Sequence, residues 1–243
     1  MSITILITGA STGIGASTAL TLAEGNTLFL HYNASKSDAE KVADAVVRRK
    51  GNAHLIQADL MREEGCRKLF QGVAEKTDKL DALINNAGGM LRRHNVDTLE
   101  WELMEKIFAL NTYSAMMMTT LCIPLLQKGN KPCIVNITSI AMRSGGPSST
   151  LYAASKGAMD SFTRGTAKEL APDIRVNAVA PGVILTPFHD KVSSAEKMAR
   201  FKEAIPMGDF GQSEDIARTI AFLIDNLFIT GETIDVNGGH FMR

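Results

Sequence analysis

The chain has 243 residues, 45% of them hydrophobic and 21% charged, with 26 Lys and Arg balanced by 26 Asp and Glu. That composition suits one core and a single domain spanning 1–243, and a net charge of zero argues against a nucleic-acid stripe or an acidic tail. The apolar runs around Ile3 to Ile7 and Leu28 to Leu30 are too short to cross a bilayer and follow no basic signal region, so a cytoplasmic protein with no membrane partner is expected. Cys66, Cys122 and Cys133 show no C-x-x-C spacing, and the five histidines (31, 54, 94, 189, 240) form no H-x-x-x-H pair, so neither a disulfide framework nor a metal site is expected.

Ile3 to Thr8 is a β-branched run that breaks into Gly9-Ala-Ser11-Thr12-Gly13-Ile14-Gly15, after which Ala16, Ala19, Leu20 and Ala23 recur at helical spacing. The pattern predicts a strand, a glycine-rich turn and a helix start. Glycines let backbone N–H groups converge on an anion at the helix N-terminus, where the macrodipole favours a phosphate. Because Gly-x-x-x-Gly-x-Gly differs from G-x-G-x-x-G, a tight turn without a ligand is the competing reading.

Strand and helix then alternate. Strands are predicted at Thr27 to Tyr32, Ala53 to Ala58, Leu80 to Asn85, Ile134 to Thr138, Val176 to Ala180 and Thr233 to Val236. Helices are predicted at Ser35 to Lys50, Arg62 to Thr77, Leu151 to Leu170 and Ser213 to Ile224, with one continuous helix from Thr98 to Gln127. Regular βα alternation predicts an α/β fold, a doubly wound Rossmann-type parallel sheet of about seven strands with helices on both faces. Ligands belong at the carboxyl ends of such strands. There lie Gly9, Asp59 with Leu60, Asn85 to Gly88, Ser139 and Pro181-Gly182. The irregular stretch 182–211 carries Val183, Ile184, Leu185, Phe188, Met198 and Phe201, and suits a lid over an apolar site.

Tyr152 and Lys156 stand four residues apart in the predicted Leu151 to Leu170 helix, hence on one face. A cation about 4 Å from a phenol, at an effective dielectric near 20, favours the phenolate by about 4 kcal/mol before desolvation. Tyr152 would then exchange a proton at working pH. In the bland alternative, Tyr152 packs and Lys156 is solvated.

Together, Thr8-Gly-x-x-x-Gly-Ile-Gly15, Asn85-Asn-Ala-Gly88, Asn111, Ser139, Tyr152-x-x-x-Lys156 and Pro181-Gly182 with Thr186 resemble the short-chain dehydrogenase/reductase family in its single-domain form, over about Ser2 to Arg243. The resemblance implies that Tyr152 is the general acid or base, that Lys156 lowers its pKa and holds the nicotinamide ribose, and that Ser139 donates to the substrate oxygen. It implies a proton-relay water held by the main chain at Asn111. It also implies cofactor contacts from Gly9, Ser11, Thr12, Gly13, Ile14, Gly15, Tyr32, Asn33, Ser35, Lys36, Asp59, Leu60, Asn86, Ala87, Gly88, Pro181, Gly182, Ile184 and Thr186. Asp59 would cap the adenine, although a helix N-cap ahead of Arg62 is an equal alternative.

Members using NAD carry an acidic side chain where this chain has Tyr32, followed by Asn33-Ala34-Ser35-Lys36, so NADP (NADPH) is expected, with NAD possible. Thr12 stands where many NADP-preferring relatives have a basic residue, which leaves Lys36 as the main counter-charge. The run Ile229 to Gly239 resembles the 3-oxoacyl-[acyl-carrier-protein] reductase group. Only Lys131 is basic where carrier docking would be sought, and sugar, polyol and small-ketone dehydrogenases share the frame. Substrate contacts are expected from Met90 to Arg93, Met142 to Pro147 and the lid, with Arg92, Arg93 and Arg143 able to receive an anion. A non-catalytic dinucleotide sensor is the reading from a different class. Apolar and small residues on the Thr98 and Leu151 helices predict an oligomer, and the resemblance implies that these helices pair as a four-helix contact in a homotetramer or dimer.

Overall fold

The strands form where β-branched and aliphatic residues cluster, and all but β3 are followed within two residues by a glycine, asparagine or serine. In the computed structural model, which describes residues 2–242 and only the backbone of 189–191, these are β1 (Thr4–Ile7), β2 (Thr27–Tyr32), β3 (Asn52–Gln57), β4 (Ala82–Asn85), β5 (Cys133–Ile137), β6 (Arg175–Pro181) and β7 (Thr233–Val236). They make a seven-stranded sheet in the order β3-β2-β1-β4-β5-β6-β7, every pair parallel. The order reverses between β1 and β4, which opens a crevice beyond their carboxyl ends.

Helices cover both faces. α1 (Gly13–Thr21), α2 (Lys36–Arg48), α3 (Glu63–Ala74), α4 (Trp101–Phe108), α5 (Ser114–Leu126), α6 (Ala141–Ser144) and α7 (Thr150–Leu170) precede the lid helices α8 (Pro187–Val192) and α9 (Ala195–Ala204), and α10 (Ser213–Asp225) follows. One core joins Ile5, Ile7, Leu28, Leu30 and Val135 to Ile216, Ile220 and Leu223 of α10. The opposite face joins Leu6, Phe29, Leu83 and Ile134 to Leu69 of α3 and Met118 and Cys122 of α5. The three cysteines are free and buried, and burial pushes their thiols up to about 11 or 12.

Two expectations need correction. The helix expected from Thr98 to Gln127 starts at Trp101 and runs to Leu126, with a π turn inside it. A 3-10 turn covers Val96–Thr98, and a π turn at Ala109–Tyr113 separates α4 from α5. Asn111 sits in that π turn, 1% exposed, and its side chain bonds Gly89 N at 2.9 Å and Gly89 O and Ile107 O at 2.8 Å. A carboxamide that bonds outward to a loop holds the extra residue in the turn. The stretch Trp101–Leu126 is long and apolar enough to cross a membrane, but half of its most apolar window is buried inside the fold, as a core helix requires. The lid is also not irregular. It holds α8 and α9, and its base is closed by Leu185 N to Gly211 O at 2.9 Å and Gly211 N to Val183 O at 3.1 Å.

Candidate active site

The glycine turn after β1 is tied to the end of β4 by polar side chains. Thr8 Oγ1 accepts from Asn86 N at 2.9 Å and Ala87 N at 3.0 Å, and Asn86 Nδ2 donates to the carbonyls of Thr8 and Gly9, both at 2.9 Å. Gly9 takes φ +64°, and a Cβ there would sit 3.0 Å from Ala87 Cα. A Cβ on Gly15 would lie 2.2 Å from the Gly9 carbonyl oxygen, so α1 can start this close under the turn only without a side chain. The α1 N-terminus thereby faces the crevice and presents N–H groups to an anion.

The crevice is a cleft of about 880 Å³. Of the residues expected to hold a dinucleotide, all line it except Gly15, Tyr32 and Lys36. Gly15 lies beneath the turn. Tyr32 is buried, 7% exposed, away from the cleft, because side chains alternate along β2 and the preceding residue faces inward. Lys36 is exposed and pairs with Glu40 at 3.7 Å on α2. Asp59 lines the cleft and its Oδ1 accepts from Met61 N at 3.1 Å, so it closes a local turn while facing the site; the α3 cap itself falls at Arg62.

His31, absent from the expected set, takes the inward position on β2. Its Nδ1 accepts from Gly9 N at 2.9 Å, which leaves the proton on Nε2, 3.1 Å from Ala58 O. One imidazole thus ties the glycine turn to β2 and β3. Burial holds its pKa below the usual 6.5 and keeps the ring neutral. The period-two alternation of β2 was the signal that would have found it.

At the other end of the cleft, Ser139 follows β5 and Tyr152 and Lys156 come from the first turns of α7; all three line the space. The Ser139 hydroxyl stands beside the Tyr152 hydroxyl as a hydrogen-bonding neighbour that lowers its pKa, and Ser139 Oγ accepts from Ala141 N at 3.1 Å. Lys156 is 3% exposed, donates to Ile137 O at 2.7 Å, and lies 5.8 Å from the Tyr152 ring centroid. Asn111 stands behind this group, its carboxamide beside the Gly88-Gly89 turn.

The expected depression of the Tyr152 pKa is not what this geometry gives. Burial pushes the phenol up to about 12, against a smaller lowering from the Ser139 bond, and burial draws Lys156 down to about 8. The ammonium is directed at the Ile137 carbonyl rather than at the phenol oxygen, so the Coulombic gain expected at about 4 Å is lost to desolvation. At neutral pH the group is a protonated phenol beside a mostly protonated lysine.

The far wall is apolar, with Met90, Val183, Phe188 and Phe201; the Phe188 ring lies 5.9 Å from that of Tyr152. Of the three arginines considered for an anion, Arg92 pairs with Glu100 at 2.7 Å on the surface and Arg143 with Asp235 at 2.9 Å. Arg93 alone lines the cleft. Lys197, inside the expected lid though not singled out for an anion, lies there with it.

A doubly wound parallel sheet with a glycine turn, an inward helix N-terminus and a Ser-Tyr-Lys group in one cleft defines a dinucleotide-dependent oxidoreductase. Residues 9–240 match the family model described as enoyl-(acyl carrier protein) reductase. The chain is 35% identical over 244 residues to the 3-oxoacyl-[acyl-carrier-protein] reductase FabG of Aquifex aeolicus, covering 97% of this chain and 96% of that protein. The crystal structure of the NADH-dependent reductase A1-R′ responsible for alginate metabolism superposes with a TM-score of 0.90 at 32% identity, over 100% of this chain and 98% of that one. The Pseudomonas aeruginosa RhlG/NADP complex superposes with a TM-score of 0.91 at 30% identity, over 98% and 96%. The chain belongs to the short-chain dehydrogenase/reductase family and is a nicotinamide-dependent enzyme.

Proposed function

We propose that the protein is an NADPH-dependent carbonyl reductase in which Tyr152 is the proton donor. The observation that carries this reading is the Ser139–Tyr152 hydroxyl pair, held one helical turn from Lys156 in the same cleft as the glycine turn. The bound cofactor supplies the hydride. Tyr152 would give the carbonyl oxygen its proton as charge develops there, and Ser139 would hold that oxygen by a hydrogen bond. A phenol that stays protonated at neutral pH favours reduction over alcohol oxidation, because oxidation needs the phenolate first. The Lys156 ammonium, once it turns from the Ile137 carbonyl, would stabilise the phenolate left behind and hold the ribose hydroxyls. The π turn at Asn111 holds the Gly88-Gly89 loop and shapes the route for reprotonation.

NADP is favoured over NAD because Asn33, Ala34 and Ser35 line the adenosine end and no carboxylate stands at the end of β2. Lys36 serves as a mobile counter-charge once it leaves Glu40, an exposed pair of little strength. For the substrate, a 3-oxoacyl compound is the first candidate and a sugar or small ketone the second. We place the enzyme in the cytoplasm as a homotetramer, on the strength of the exposed apolar side chains Trp101 and Tyr113 beside α7 and Phe228 near β7.

The test is a fluorescence titration with NADPH and NADH, then turnover on oxoacyl thioesters, sugars and small ketones. NADPH should bind at least tenfold tighter, a difference of about 1.4 kcal/mol. Tighter NADH binding would overturn the reading of the β2 end.

A further inference from the structure

Where the cleft meets the lid, two cations from different segments share one hydroxyl. Arg93 Nη1, from the loop after β4, and Lys197 Nζ, from α9, donate to Ser148 Oγ at 3.2 and 3.0 Å. Arg93 Nη2 also reaches Ser193 Oγ at 3.1 Å, and its Nε is bonded to the Val192 carbonyl. Every one of these acceptors is neutral. Among the described residues neither cation has a carboxylate within ion-pair distance, whereas nearby Arg92, Arg143, Arg200 and Lys202 are all paired.

Holding two like charges together in a half-buried place is unfavourable unless a counter-charge arrives. Burial acts on both. Desolvation lowers the pKa of each, and the Arg93 charge lowers that of Lys197 further. Ser148, which brings them together, holds a left-handed φ of 62°, uncommon for a residue other than glycine. Both cations line the same cleft as Tyr152. Between them and Tyr152 stand Phe188 and Phe201, one ring 5.9 Å from the tyrosine ring and the other 5.8 Å below Lys197 Nζ.

We propose that Arg93 and Lys197 bind an anionic group, a carboxylate or a phosphate monoester, on the far end of the carbonyl substrate. The proposal rests on the reductase reading and narrows it to small anionic carbonyl compounds. An arginine fork and a lysine point charge suit a two-oxygen anion, and the phenyl rings cover the carbon chain. Because the cations come from the body and from the lid, the anion also fastens α9 over the cleft, which couples binding to closure.

The test uses matched pairs with the full chain and NADPH: 4-oxopentanoate against its methyl ester, and dihydroxyacetone phosphate against dihydroxyacetone. The anionic member should be preferred in kcat/KM by about ten- to a hundredfold, chiefly through KM, as expected for charged hydrogen bonds. The pair with the larger ratio tells carboxylate from phosphate. Arg93→Gln and Lys197→Gln, which keep a donor for Ser148, should each bring the ratio towards one, while Arg93→Lys should retain much of it. Calorimetric titration of the same compounds into the NADPH complex reads the preference without turnover. Equal use of both members, variants that depress both members alike, or no binding of either anion would overturn the proposal. Preferential anion binding without reduction of any compound would uphold the anion site and refute the reductase reading instead.

Discussion

Replacing Lys156 by methionine should make the protein more stable at neutral pH and nearly inactive. The ammonium is buried, and its pKa falls from 10.5 to about 8 for that reason alone, which corresponds to about 3 kcal/mol against the charged form. Because the folded pKa lies below the unfolded one, the unfolded chain binds the proton more tightly between the two values. The penalty is therefore fully present below pH 8 and fades as pH rises towards 10.5. Methionine fills similar volume without charge, but it gives up the 2.7 Å bond to Ile137 O and the contact with the Tyr152 ring, together about 2 kcal/mol. The net gain at pH 7 is about 1 kcal/mol, or about 2–4 °C in Tm for a chain of this size. The difference between pH 7 and pH 10 is the sharper quantity, since the lost contacts cancel from it; the variant's advantage should shrink by about 2–3 kcal/mol over that range. Urea unfolding of both proteins at the two pH values measures it, and turnover should fall at least a hundredfold at pH 7. A stability difference that does not change with pH would refute the idea that Lys156 is charged and buried at a cost.

Tyr152→Phe should leave NADPH titration unchanged and lower kcat by about 10²–10⁴, the range of a lost proton donor; unchanged cellular function of an inactive variant would instead support the sensor reading. Gly15→Ala places a methyl group 2.2 Å from Gly9 O, so it should lower stability by about 1–3 kcal/mol and weaken NADPH binding, checked by denaturation and fluorescence. Because burial holds the His31 pKa below 6.5, stability should be full above pH 6.5 and decline as pH falls beneath it, while NADPH affinity holds until the lower pH at which the folded protein protonates His31 and Gly9 N loses its acceptor. An NADPH affinity that stays flat down to the pH of acid unfolding would count against that role. In the free enzyme, kcat/KM for reduction should be level up to pH 8 and fall above it as Lys156 loses its proton, since Tyr152 stays protonated to about 12.

The local pattern was enough for what depends on period and spacing. β-branched runs ending in Gly9, Asn85 and Ser139 define strands and the edge at which a ligand sits, and four-residue spacing puts Tyr152 and Lys156 on one face of α7. These features survive because strand alternation, helix pitch and glycine's backbone freedom act over a few residues. Pairing across the fold is another matter. Whether Lys156 faces the phenol or the Ile137 carbonyl, whether Tyr32 or His31 turns inward, and why the helix gives way to a π turn at Asn111 depend on partners more than ten residues away. Arg93 and Lys197 are the plainest case. Each is an ordinary cation in its own segment, and only the folded chain brings both to one serine oxygen and leaves them without a carboxylate among the described residues. Desolvation and charge repulsion depend on what surrounds a group in space, so the burial that raises Tyr152 and lowers Lys156 is decided by the tertiary structure alone.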